Sequence, residues 1–300
     1  MRKTDLDSES QELKYIQSFC PKNTEVEILR QQVNESINLK IIKFTPEKRS
    51  HKQAILFVAG WVSQISAWEA VLSELSKDYV IYYLETREKI SAKVTGKAGY
   101  GVEDIGSDVA VVVEKLGLKS GEFVLVGSSL GATSILDSCL RTEIRASALI
   151  LIGPNAVFRV PKIWIAIVNL FYPPLYNLLK PAVKWYLRTF RLDLKTDYDQ
   201  YKKYSDALDA ADPWKLKKGV LKLAKYEVWG ILEKISIPAL IIGASKDSLH
   251  EPENLKRMTT MLPNATYIDL ETNKQTHSRE MVQRLNEYLT SIGDLYKRRI

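Results

Sequence analysis

The chain has 300 residues, enough for one large core and a sizeable insertion. Its 45% hydrophobic and 26% charged residues exclude a disordered or fibrous chain, and its net charge is +7. A charged first decade, no apolar run near about 18 residues and only Cys20 and Cys139 argue against a leader, a spanning helix or a disulfide scaffold; a reducing, cytoplasmic setting is expected.

Residues 1–34 read as a polar, partly helical or frayed lead-in. Residues 37–44 alternate as a half-exposed strand, and Ala54-Ile55-Leu56-Phe57-Val58 reads as a buried one. A helix is expected near 67–75, a strand at 79–84 and a periodic helix at 102–116, closed by Gly117 and Gly121. Glu122-Phe123-Val124-Leu125-Val126 is a further apolar strand, with a helical pattern at 132–140. Strands follow at 148–153, 239–243 and 265–270, and a last helix at 279–292. Apolar strands alternating with helices imply an α/β fold: a mostly parallel, doubly wound sheet covered on both faces.

More than 80 residues separate the strands at 148–153 and 239–243. An inserted helical cap is expected at 157–234, between core segments 35–156 and 235–300. The cap holds 15 Lys/Arg against 8 Asp/Glu, so it accounts for the whole net charge, and it holds half of the 28 aromatic residues. Residues 161–171 are apolar almost all round, Pro173-Pro174 breaks the pattern, and 175–190 resumes it.

Gly127-Ser128-Ser129-Leu130-Gly131 lies between a strand and a helix. That is the setting of a nucleophile elbow, in which a tight turn exposes a serine hydroxyl at the top of a sheet. A serine needs a base to take its proton and a third group to orient that base. Asp247 follows the strand ending at Gly243, and His277 follows the last strand, so both lie where parallel sheets build sites. His250 is close to Asp247, but acid and base are expected on different loops, so it reads as a rim residue; His51 reads as a solvated loop residue. The N–H groups of Leu130 and Trp61 are the expected oxyanion donors, with Gly60 giving the bend and Trp68 packing. Gly60, Ser128 and Trp164 are the expected substrate contacts. No metal-ligand cluster or phosphate-cradling loop occurs, so neither metal nor cofactor is expected.

Over residues 37–156 and 236–292 the chain resembles the α/β-hydrolase superfamily, on Ala59-Gly60-Trp61, the elbow, and Asp247 and His277 in order. It departs from the family pattern at Ala59, where a histidine often stands, and at Glu85-Thr86-Arg87-Glu88-Lys89-Ile90-Ser91, which replaces an Asp-x-Arg-Gly type loop. The resemblance implies a single-cap serine esterase or lipase: Ser129 attacks, a neutral His277 takes its proton, and Asp247 orients His277. The expected partner is a small acyl ester with an apolar acyl group, and nucleic acid is not expected. The alternatives are a thioesterase or acyltransferase on an anionic acyl carrier, or a ligand receptor of the same fold. The basic cap also allows contact with an anionic membrane, against which Lys217, Lys218, Lys222 and Lys225 read as a solvated helix face.

Overall fold

The computed structural model describes residues 3–48, 52–191, 198–247 and 250–297. Its elements begin with α1 (Lys3–Phe19), β1 (Glu25–Asn34), β2 (Ile37–Thr45) and β3 (Ala54–Val58). Next come α2 (Glu69–Leu75), β4 (Ile81–Glu85), the short β5 (Lys93–Val94), α3 (Val102–Lys115), β6 (Phe123–Ser128), α4 (Leu130–Ser138) and β7 (Ala148–Ile152). The inserted segment carries α5 (Lys162–Leu170), α6 (Tyr176–Tyr186), α7 (Tyr198–Asp209) and α8 (Pro213–Leu223). The chain ends with β8 (Ala239–Gly243), α9 (Pro252–Met261), β9 (Ala265–Asp269) and α10 (Arg279–Lys297).

One sheet runs β1-β2-β4-β3-β6-β7-β8-β9, with β5 paired to β2. The pairs from β4 through β9 are parallel, and those made by β2 are antiparallel. The fold is therefore the mostly parallel α/β sheet with helices that the strand–helix alternation implied. Successive residues of the central strands feed opposite cores. Leu56, Leu125, Leu149 and Ile241 pack with α3, α4 and α9, whereas Ile55, Val124, Ile150 and Leu240 pack with α2 and α10. Burial on both faces explains why these strands read as unbroken apolar runs.

Residues 1–34 differ from the expected lead-in. Glu25–Asn34 forms edge strand β1, paired antiparallel with β2, and Ile16 of α1 is buried in the core with α2 and α10. His51 lies outside the described residues. The insertion leaves and rejoins the core at adjacent points, where Val157 bridges Glu227 and the Val228 N–H donates to the Ala156 carbonyl at 2.9 Å. Among the described residues no helix is long and apolar enough to cross a membrane.

Candidate active site

β6 ends in the elbow. Ser129 has φ 50° and ψ −119°, a conformation that non-glycine residues rarely adopt and that the surroundings must hold. The Ser129 N–H donates to the Ile152 carbonyl at 2.8 Å, and the Thr133 N–H donates to the Ser129 carbonyl at 3.0 Å. Gly131 passes so close to the Val58 and Ala59 carbonyls that a side chain there would overlap them. These contacts fix the serine at the carboxyl end of the sheet, on the first turn of α4. The Leu130 N–H belongs to that turn and has no carbonyl four residues back to bond within the helix.

Two loops converge on Ser129. After β3, residues 60–63 form a tight turn closed by the Ser63 N–H on the Gly60 carbonyl at 3.1 Å. A Cβ on Gly60 would lie 3.4 Å from Ser129 Cβ, so the missing side chain lets this loop approach the serine. Val62 adopts φ 46°, costly for a β-branched residue. The segment after β4 supports this turn from below. Glu88 Oε1 accepts from Thr86 Oγ1 at 2.7 Å and more loosely from the Val62 N–H at 3.4 Å, while Lys89 Nζ donates to the Ser63 carbonyl at 2.6 Å. Burial pushes the Glu88 carboxyl up and the Lys89 amine down from their ordinary values. Arg87 grips buried Asp108 of α3 through two bonds of 2.6 Å, and Lys215 of α8 donates to the Lys89 and Ala92 carbonyls at 2.6 and 2.8 Å.

The loop after β8 supplies both remaining groups. His250 Nε2 lies 3.0 Å from Ser129 Oγ, and His250 Nδ1 lies 3.0 Å from Asp247 Oδ2. Asp247 is 4% exposed, and its Oδ2 also accepts from Asn273 Nδ2 at 3.0 Å. The partners assign the tautomer: Nδ1–H donates to the carboxylate, leaving Nε2 to accept from the serine. Ser129 Oγ is also 2.8 Å from Asn155 Oδ1, so two acceptors compete for one hydroxyl proton.

His277 occupies a different place from the one expected. It borders the same cavity, but its Nδ1 is 2.9 Å from the Asn273 carbonyl and its Nε2 is 3.1 Å from Lys203 Nζ of α7. Its ring stacks on Trp68 at 4.1 Å between centroids. Nδ1 therefore carries the proton and Nε2 accepts from the lysine, leaving no nitrogen for Ser129. Burial, with Lys203 adding to it, holds the imidazole well below its usual pKa. The structure brings together Ser129, Asp247 and His250, with Asn273 rather than an imidazole reaching Asp247 from the loop after β9. The one sequence signal for His250 was its position three residues after Asp247, which the expectation of separate loops set aside.

Two cavities meet at the serine. A small one of about 60 Å³ contains Gly60, Ser128, Ser129, His250, Lys203 and His277 among its walls. A larger one of about 420 Å³ runs between the sheet's carboxyl end and the inserted helices and is walled mainly by apolar groups, among them Phe158, Val168, Leu179, Val183 and Leu216. Trp61 and Ser129 border both. Of the expected substrate contacts, Gly60 and Ser128 thus face the small cavity, while the Trp164 side chain lies outside the described residues. Trp68 is buried against Phe57.

No family model and no curated protein matches the chain. Solved structures do. A thermophilic esterase from Thermogutta terrifontis with malate bound is similar over 89% of this chain and 99% of its own, at 16% identity and TM-score 0.69. The enol-lactonase from Burkholderia xenovorans LB400 is similar over 90% and 100%, at 17% and 0.68. A putative lipase from Acinetobacter baumannii AYE is similar over 94% and 97%, at 17% and 0.65. Identities this low speak for shape alone, and that shape agrees with the mostly parallel sheet and its helices: this chain has the α/β-hydrolase fold.

Proposed function

We propose that the protein is a serine hydrolase of carboxylic esters, with Ser129 as nucleophile, His250 as general base and Asp247 orienting it. One observation carries the reading: the unbroken path from Ser129 Oγ through both His250 nitrogens to Asp247, each step 3.0 Å. Ser129 Oγ attacks the ester carbonyl while His250 Nε2 takes its proton. The Leu130 and Trp61 N–H groups receive the oxyanion. His250 then returns the proton to the leaving alkoxide, and the same imidazole activates the water that releases the acid. Asp247 orients the His250 ring through Nδ1 and is itself held by Asn273.

The cap's contribution is selection. A cavity of about 420 Å³ walled by apolar side chains suits an acyl chain, which desolvation favours at roughly 0.8 kcal/mol per methylene. The small cavity, bordered by Lys203, Asn273 and His277, suits the alcohol side. Hydrolysis of p-nitrophenyl esters of graded chain length, with fluorophosphonate labelling mapped to a residue, tests the reading. Labelling at Ser129 with turnover that rises with chain length is expected. Labelling without turnover means a receptor-like protein, and labelling elsewhere refutes the site. Faster turnover of acyl thioesters than of matched esters would move the substrate class to thioesters.

A further inference from the structure

Helices α5 and α6 carry apolar side chains on two faces. Toward the core, Val168, Leu179 and Val183 line the cavity that reaches Ser129. Toward solvent, Ile163 and Leu170 are seven residues apart on α5, and Leu178 and Trp185 are seven apart on α6, so each pair shares one helix face. Leu170 is 90% exposed and Leu178 75%. Tyr172 and Phe190 extend the exposed apolar surface. Isolated exposed leucines are ordinary, but stripes on two successive helices, with exposed Tyr172 and Leu175 between them, mark a surface built to meet an apolar phase.

Charge identifies that phase. Residues 157–192 contain six Lys/Arg and no Asp/Glu. Lys180 and Lys184 pair with Asp209 and Arg159 pairs with Glu251, while exposed Lys162 and Arg188 form no ion pair among the described residues. Lys162 adjoins Ile163, and Arg188 follows Trp185 by three residues. Basic groups beside exposed aliphatic and aromatic residues fit the boundary between lipid headgroups and acyl chains. A second copy would set this positive charge against itself.

We propose that the outer face of α5 and α6 docks the protein on an anionic lipid bilayer. Docking places a single layer of cap helices between the lipid phase and the apolar cavity. It stands whatever chemistry Ser129 performs, and Ser129→Ala separates the two ideas: that variant loses hydrolysis and keeps its vesicle binding.

The test is cosedimentation of the full chain with phosphatidylcholine vesicles containing none or about 30% phosphatidylglycerol. Binding to the anionic vesicles only, weakened at high salt, is expected. Leu170→Glu with Leu178→Glu should weaken it about tenfold or more, and Lys162→Glu with Arg188→Glu several-fold. Hydrolysis of a short soluble ester should be unchanged in both, which also shows that they fold. Failure to bind anionic vesicles, equal binding to neutral ones, or full binding by the leucine variant overturns the proposal. So does a dimer in sedimentation velocity that the leucine variant dissociates without any vesicle binding by the parent.

Discussion

Replacing each histidine near the serine in turn separates two ways of running the same reaction. His250→Ala removes the acceptor 3.0 Å from Ser129 Oγ and leaves Asp247 with Asn273. The serine then has no group able to take its proton and return it to the leaving oxygen. Triad members act as a unit, so kcat should fall by about 10⁴–10⁶, equivalent to about 5–8 kcal/mol of barrier. His277→Ala removes a ring that stacks on Trp68 and bonds Lys203 and the Asn273 carbonyl, all structural partners. Its kcat should stay within about tenfold, while stability should drop by about 1–3 kcal/mol from the lost packing and orphaned groups. Steady-state hydrolysis of p-nitrophenyl butyrate, fluorophosphonate labelling of Ser129 and urea unfolding read these quantities independently. If His277→Ala abolished turnover while His250→Ala kept it, the assignment of the base would be refuted, because the loop after β9 would have to deliver its imidazole to the serine.

Four further outcomes are expected. Ser129→Ala should lower kcat by about 10⁶ and abolish fluorophosphonate labelling while leaving the urea midpoint close to that of the parent; appreciable turnover in that variant rules out the serine mechanism. His277 is held neutral when folded, so below about pH 6.5 the unfolded chain takes up a proton that the folded chain refuses. Its contribution to stability is therefore full above that pH and is lost on acidification, by up to about 1.4 kcal/mol per pH unit; His277→Gln should flatten that slope in urea melts, and an unchanged slope counts against it. Lys89→Met leaves buried Glu85 and Glu88 without that cation and frees the Ser63 carbonyl, so a loss of about 3–5 kcal/mol is expected in the same melts. Val183→Trp fills part of the apolar cavity and should cut kcat/KM for octanoyl esters about tenfold relative to acetyl esters; equal effects on both would argue that the chain binds elsewhere.

Much of the architecture was legible because its physics is local. The strands at 54–58, 123–128, 148–152 and 239–243 are buried on both faces, and the elbow glycines announce a turn with no room for side chains. Edge strand β1 was missed for the opposite reason. Glu25, Glu27, Arg30, Gln31 and Gln32 give it little apolar signal, and its pairing with β2 exists only in three dimensions. His250 was visible but misjudged. Whether a loop folds back far enough for residues 247 and 250 to bond each other and Ser129 depends on packing against Gly153, where a Cβ would meet the His250 ring at 3.1 Å, and no periodicity encodes that contact. Asn155 and Asn273 carried no signal, since single amides acquire meaning only from what they touch.

The hydrogen-bonded pair at the neck of the insertion, Val157 with Glu227 and Val228 with Ala156, has a consequence for how the fold can diversify. Because the chain re-enters beside its exit, the number of residues between those points is free of any span the sheet must bridge, and closing a longer excursion costs only a logarithmically growing entropy. Genetic change can lengthen, shorten or recompose the inserted segment without moving β7 or β8. The residues around Ser129 and the helices that wall the larger cavity can then drift at independent rates.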